Sequence, residues 1–429
     1  MSSTKPNRPV FALCDANSFY ASCEKIFRPD LRSTPVVVLS NNDGCVIAQS
    51  REAKVLGIKM AGPWFEVEAR AREIGVVEFS SNYELYANLS NRFMATLRQF
   101  SPRQEVYSID ECFLDFTGIK RDLVAYGQEI KETVMRWTGL PICVGVGHSK
   151  TLAKLANHCA KKQPAFNGVC DFTHMSQDEL NAMMETLPVS SVWGIGRRLE
   201  ASMKTLGVEN VLRLKRANIR RMRDRFGITM QRTIQELNGE PWLELDEVIP
   251  TAKQVMSSRS FGERVESLPE LREAISYHAA NAAQRLRKQG LYAKAVSVFI
   301  QNSPFDQASF YGKTETVALP SPTDCSLQIT NAVLWILKKM YKPQVYYQKA
   351  GVMLSELVAE GGQQIDLLGY SSPGNRPGKL METVDNINRK YHRSTIHLAS
   401  EGVARTWSMR RSFKSQNYTG DWKDLPVVS

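Results

Sequence analysis

The chain has 429 residues, enough for about three domains, and 43% of them are hydrophobic, enough to bury several cores. Its 55 Lys and Arg against 44 Asp and Glu give a formal charge of +11, which favours an anionic partner over a cationic one. No apolar run approaches the roughly 20 residues that span a bilayer, the N-terminal apolar run is broken at Asp15, and the eight scattered cysteines form no C-x-x-C pair. We therefore expect no membrane span, signal peptide or zinc finger, and a cytoplasmic protein with reduced thiols.

In chain order, PVFALCDAN reads as a strand, YASCEKIF as a helix and TPVVVLS as a second strand. CVIA, a short helix from Arg51 to Leu56 and VVEFS follow. Leu85, Leu89, Phe93, Leu97 and Phe100 recur at helical spacing and predict an amphipathic helix. VYSIDECFLDF and ICVGVG are expected to complete one sheet, with the helix SKTLAKLANHCAKK packed on it. From about Ser176 to Trp242 the pattern is helical. A new strand, helix, strand, strand, helix, strand order then begins near Lys253, the split βαβ arrangement. Beyond about Val358 the sequence loosens into a basic tail expected to order on partners.

The stretch Ser108-Ile109-Asp110-Glu111 puts two acids inside an apolar run. Successive strand side chains face opposite ways, so both reach one pocket only if the chain bends, or if a cation near the strand edge is reached from two sides. Asp15 also ends an apolar strand, where α/β sheets tend to bind ligands. Each acid has a plainer reading: Asp110 and Glu111 as solvated surface groups, Asp15 as the cap of its following helix. Together, hard oxygen donors from two strands suit Mg²⁺ that completes its shell on substrate phosphates, hence phosphoryl transfer.

Basic residues accompany them. Arg51 and Lys54 lie one turn apart, while Lys150, Lys154, Lys161 and Lys162 recur on the helix after ICVGVG, whose start at His148-Ser149 is a further anion site. No P-loop, G-x-S-x-G elbow or H-E-x-x-H motif occurs. Between Pro188 and Leu206, V-W-G-I-G-R-R fits a helix-hairpin-helix: Gly194 and Gly196 admit a phosphate, and Arg197 and Arg198 flank it. Residues 211 to 232 add eight Lys and Arg against one Asp.

FALCDANSFYASCE, PVVVLSNNDGCVIAQSREAK, VYSIDECFLDF, VGVGHSKTLAKLANHCAKK and LPVSSVWGIGRR together resemble the Y-family translesion DNA polymerases, from Pro9 to the tail. The resemblance implies an α+β multidomain right hand with a βαββαβ-like palm (9–33 and 76–175) and small fingers (34–75). A helical thumb (176–242), a linker (243–252), a split βαβ little finger (253–357) and a partner-binding tail (358–429) would follow. It implies error-prone synthesis in the SOS response of bacteria, with two Mg²⁺ ions held by Asp15, Asp110 and Glu111. Tyr20 matches the steric gate beneath the sugar and Phe19 its neighbour; Arg51, Lys54 and Lys161 match residues that reach the triphosphate. Many members carry tyrosine where this chain has Arg51. Primer-template DNA, deoxynucleoside triphosphates, a UmuD′ dimer and the RecA filament are the implied partners. Gln364, Ile365, Leu367 and Leu368 resemble a sliding-clamp peptide with Leu368 in place of the usual aromatic, which predicts weaker docking. A metal-dependent nuclease and a catalytically unused DNA-binding scaffold are the competing readings. The first leaves Tyr20 without a role, and the second should lack one of the three acids.

Overall fold

The computed structural model describes residues 8–246, 251–306, 309–359, 376–391, 394–420 and 422–425. The chain divides into two compact units: residues 1–40, 44–249 and 413–429 form the first, residues 41–43 and 250–412 the second. Among the described residues no helix is long and apolar enough to cross a membrane.

In the first unit β1 (Phe11–Ala16) is buried along its whole length, as a central strand must be. It leads through Ser18 into α1 (Phe19–Ile26). β2 (Val36–Leu39), β3 (Val46–Gln49), α2 (Arg51–Val55), α3 (Glu68–Glu73) and β4 (Val77–Ser80) come next. α4 (Tyr83–Leu97) buries Leu85, Leu89, Phe93 and Leu97 at the spacing the sequence predicts. Each such side chain contributes about 1.5 to 3 kcal/mol of burial. β5 (Gln104–Val106) and β6 (Glu111–Asp115) form a hairpin, followed by α5 (Leu123–Thr138), β7 (Ile142–Gly147), α6 (Lys150–Lys162) and β8 (Val169–Asp171).

These strands do not make one sheet. β5-β6-β1-β7-β8 is a five-stranded sheet, whereas β3-β2-β4 is a separate three-stranded one in which β4 runs parallel to β2. The expectation of a single sheet is thereby corrected. Sequence order placed 77–80 with the larger sheet, but its valine and phenylalanine fit either, and only pairing distinguishes them. Gly145 sets the distance between β7 and α6: a Cβ there would meet Asn157 N at 2.1 Å and Ala153 O at 2.4 Å. The helix therefore lies directly on the strand, and its lysines are carried over the sheet's end.

The helical stretch comprises α7 (Gln177–Thr186), α8 (Arg197–Lys204), α9 (Val211–Lys215), α10 (Ile219–Phe226) and α11 (Ile228–Leu237). Met184, Val189, Met203, Leu214 and Ile234 form its core together with the outer face of α6. α11 also supplies the buried Glu236, whose Oε2 accepts from Thr151 N (3.0 Å) and Oγ1 (2.5 Å). The start of α6, expected to attract phosphate, is thus occupied by a carboxylate of the chain itself.

The second unit contains β9 (Val255–Val265), α12 (Leu268–Arg287), β10 (Leu291–Gln301), β11 (Gly312–Thr323), α13 (Ser326–Met340) and β12 (Tyr347–Ala359). The antiparallel sheet runs β11-β10-β12-β9, so each strand-helix-strand crossover is split by one inserted strand, as the sequence predicts. α14 (Arg376–Lys390) is tied to α12 by the Arg287 guanidinium, which donates to Asp385 at 2.7 and 3.0 Å. Trp407, 4% exposed, packs edge-on to Phe261, and a Cβ on Gly262 would lie 2.3 Å from Ser408 O. The described part of the tail is therefore folded on its own chain, which corrects the expectation that it orders on partners. Its single buried anchors, such as Trp407, are spaced too irregularly for a periodic pattern to register.

α1 and α4 share a buried acid. Glu24, with no exposed surface, accepts from Tyr86 Oη at 2.6 Å, and burial pushes its carboxyl up from 4.5 to about 7, opposed by the Tyr86 and Ser415 hydroxyls. Folded Glu24 keeps its proton to about pH 7, whereas the unfolded chain loses it near 4.5, so this group's contribution to stability declines as pH rises through that window. The decline amounts to about 3 kcal/mol. Chemical denaturation at pH 5 and pH 8 should show the decline in the native protein and its removal in Glu24→Gln.

Candidate active site

β1 pairs with β6 so that Asp15 stands directly opposite Glu111. Residues directly opposed across an antiparallel pair share a face, which brings these two acids together. Asp110 lies one residue before β6, in the loop that turns β5 into β6, and its carbonyl accepts from Ala16 N at 2.9 Å. The VYSIDECFLDF run is therefore a hairpin and not one strand. The bend over Ser108, Ile109 and Asp110 is the irregularity that the paired acids require. Ser108 organises it: its Oγ accepts from Asp110 N (3.3 Å) and Glu111 N (3.0 Å) and donates to Asp110 Oδ1 (2.6 Å). This is a side-chain turn of the kind serine favours.

Lysines from α6 meet the acids. Lys161 Nζ lies 2.6 Å from Asp15 Oδ2, and Lys154 Nζ 2.8 Å from Glu111 Oε2. Lys154 is further held over the rings of Tyr107 (4.5 Å) and Trp193 (5.0 Å), which meet edge-on at 5.4 Å. Lys150 is different: it is buried against Glu105, which also accepts from Asp246 N at 2.8 Å, so it serves packing.

Asp15 is 8% exposed and makes no helix cap; α1 starts after Ser18 with no side-chain cap at all. Burial lifts the Asp15 carboxyl to about 7; Lys161 pulls it back, and Glu111 and Asp110 push it up. Ser18 sits at φ +48, which brings the chain round so that the uncapped first turn of α1 opens on the same space. That space is a cleft of about 320 Å³ lined by Asp15, Phe19, Tyr20, Lys54, Asp110 and Lys161 among others. The Tyr20 ring stacks on Tyr86 (4.6 Å, 19°) and meets Tyr83 edge-on (5.9 Å). Phe19 lines the cleft but is otherwise buried, 4% exposed. Arg51 is exposed at the start of α2 and does not line this cleft, whereas Lys54 does.

Among the described residues no three carboxylates, histidines or cysteines are gathered closely enough to hold a cation. The chemistry of the donors nonetheless suits a divalent ion: hard oxygens, one of them on a buried acid crowded by two others. Lys161 and Lys154 already place positive charge where such an ion would.

In the helix-hairpin-helix, Ile195 is buried while Gly194, Gly196, Arg197 and Arg198 are exposed. Gly194 has φ +86, and a Cβ on either glycine would meet nothing within 4 Å, so the turn is open to a flat approach. Gln364 to Leu368 lie outside the described residues. Sequence reasoning missed the Lys154, Tyr107 and Trp193 cage and the Glu24 and Tyr86 support. Only S-x-D around Ser108 carried a local signal. The two sets are assembled from elements far apart in the chain.

Residues 14–158 match the impB/mucB/samB family, 252–367 its C-terminal domain, 177–208 its helix-hairpin-helix motif, and 378–428 a domain of unknown function. The chain is 46% identical to the protein UmuC of Salmonella typhimurium over 97% of its own length and 99% of that protein's. It is 42% identical to SamB of the same organism over 98% and 99%, and 29% identical to DNA polymerase IV of Moorella thermoacetica over 90% and 94%. A Y-family DNA polymerase chimera of known structure superposes with a TM-score of 0.66 at 18% identity, covering 82% of this chain and 99% of that one. The chain belongs to the impB/mucB/samB family, the UmuC-like Y-family DNA polymerases.

Proposed function

We propose that this chain is a template-directed translesion DNA polymerase that adds deoxynucleotides to a primer 3′ end by metal-dependent phosphoryl transfer. The observation that carries this is the register that sets Asp15 opposite Glu111, with Asp110 one residue away, at the edge of a cleft that Asp15, Asp110 and Tyr20 line. In this reading the five-stranded sheet is the palm and the three-stranded one the fingers. α7 to α11 form the thumb, and the second unit carries the little finger.

Asp15, Asp110 and Glu111 would hold two Mg²⁺ ions, Asp110 from the loop residue just before β6. When bound, the ions supply a lowered pKa at the primer hydroxyl and neutralise charge on the triphosphate and pyrophosphate. Ser108 fixes the loop, so the Asp110 carboxylate is held in place before substrate arrives. Lys161 and Lys54 face the triphosphate end of the cleft, and the uncapped N–H groups of α1 add donors there. Tyr20, braced on Tyr86, lies under the sugar and excludes a 2′-hydroxyl. Thumb contacts through Gly194, Gly196, Arg197 and Arg198 hold the duplex by its phosphates and not its sequence. A nuclease would need the same acids but gives Tyr20 no task.

The relationship to UmuC favours a place in the SOS response, with a UmuD′ dimer and RecA filament as partners. Gln364, Ile365, Leu367 and Leu368 are the proposed clamp peptide.

Primer extension on undamaged and abasic-site templates, with and without UmuD′ and RecA, tests the reading; shortening of the primer would favour the nuclease. Asp110→Ala should abolish nucleotide addition while leaving thermal unfolding unchanged, and a folded variant that still extends would refute the assignment. Arg197→Ala with Arg198→Ala should weaken primer-template binding equally for all sequences and reduce the log-log salt slope by about 2, one phosphate per residue. Gln364→Ala should lose pull-down with the sliding clamp; unchanged capture would remove the clamp assignment.

A further inference from the structure

The segment matched as a domain of unknown function ends on the first unit, against the ends of α1 and α4. Ser80 N donates to Phe413 O (3.0 Å), and Phe413 N donates back to Ser80 Oγ (2.9 Å). The Asn82 amide, wholly buried, donates to Ser415 O (3.1 Å), Ser415 Oγ (3.0 Å) and Gln416 O (3.2 Å). Its Oδ1 caps α4 at Leu85 N. Lys414 approaches Glu84, and the Tyr418 ring stacks on Phe27 at the end of α1 (4.7 Å, 17°).

The tail thus touches both helices that build the tyrosine cluster. α1 carries Tyr20 and Glu24; α4 carries Tyr83 and Tyr86. Tyr86 joins them, stacked on Tyr20 by its face and bonded to Glu24 through its hydroxyl. α1 has only eight residues and no side-chain cap, so little within it fixes its angle to α4. The tail's contacts at Phe27 and Asn82 supply that constraint from outside.

We infer that residues 413–418 are a positioning element for the sugar gate, holding α1 and α4 together so that the Tyr86 ring keeps Tyr20 at the height that excludes a ribose. This rests on Tyr20 being the gate. Loss of the tail contact frees the stacked pair to shift, and a shift of a fraction of an ångström is enough to admit an extra hydroxyl.

The readout is the ratio of kcat/KM for a deoxynucleotide to that for the matching ribonucleotide, measured on the full chain. Tyr418→Ala should lower this ratio by about tenfold, since small misplacements carry large rate effects. Deoxynucleotide addition should change less than the ratio, and Tyr418→Phe should restore it by keeping the stack. A purely structural role would lower both substrates together. Tyr20→Ala is the control: if it loses discrimination while Tyr418→Ala keeps the native ratio, the tail inference is overturned and the gate stands. If Tyr20→Ala keeps discrimination, the gate reading fails and the inference falls with it. Should Tyr418→Ala not stay folded by thermal unfolding, Ser415→Ala decides by the same ratio.

Discussion

The arrangement turns on placing like charges where two adjacent strands end. Asp15 and Glu111 oppose each other across an antiparallel pair, with Asp110 one residue away. Like charges opposed across strands are destabilising, and burial of Asp15 sharpens the cost. Two lysines offset it, and both come from α6. Their placement depends on Gly145, where no side chain fits between strand and helix. Sheet register, glycine and helix face are thus one device, whose purpose is a concentrated negative site with matched counter-charge.

The same economy governs the supports. Glu236 fills the start of α6 and also accepts from Trp242 N and Leu243 N, so the helix that carries the lysines is fixed to the chain leaving α11. Glu105 pairs with the buried Lys150 and accepts from Asp246 N. Two buried acids therefore pin residues 242–246 against the sheet just before the chain passes to the second unit. Partnered in this way, buried carboxylates specify geometry, and removal of either would leave orphan donors at about 1 to 3 kcal/mol each.

Much of this was legible in the residue order. Helical spacing located α4, apolar runs located β1 and β7, and the alternation after Lys253 gave the split sheet, because each pattern is a local consequence of one buried face. The two acids in SIDE signalled a bend for the same local reason. What could not be read is set by pairing at a distance. β4 joins β2 and not the larger sheet; Glu236 reaches α6; Asn82 meets Ser415 across more than three hundred residues. The basic, loosely patterned tail suggested a segment that orders on partners, since its few anchors, Trp407, Phe413 and Tyr418, are isolated in the sequence.

The tyrosine cluster extends the logic of the acids to an apolar surface. The half-buried Tyr20 turns one part of its ring to the cleft and rests the other on Tyr86. Tyr86 supplies that floor only because its hydroxyl is satisfied inside the protein by Glu24, an acid that burial keeps protonated near neutrality. An aromatic floor with an unsatisfied hydroxyl would drift toward water, and one lacking the hydroxyl would lose its register on α1. Stacking fixes the height of the ring and the buried hydrogen bond fixes its position along the helix, so the placement of Tyr20 in the cleft is set one layer below the residues that line it.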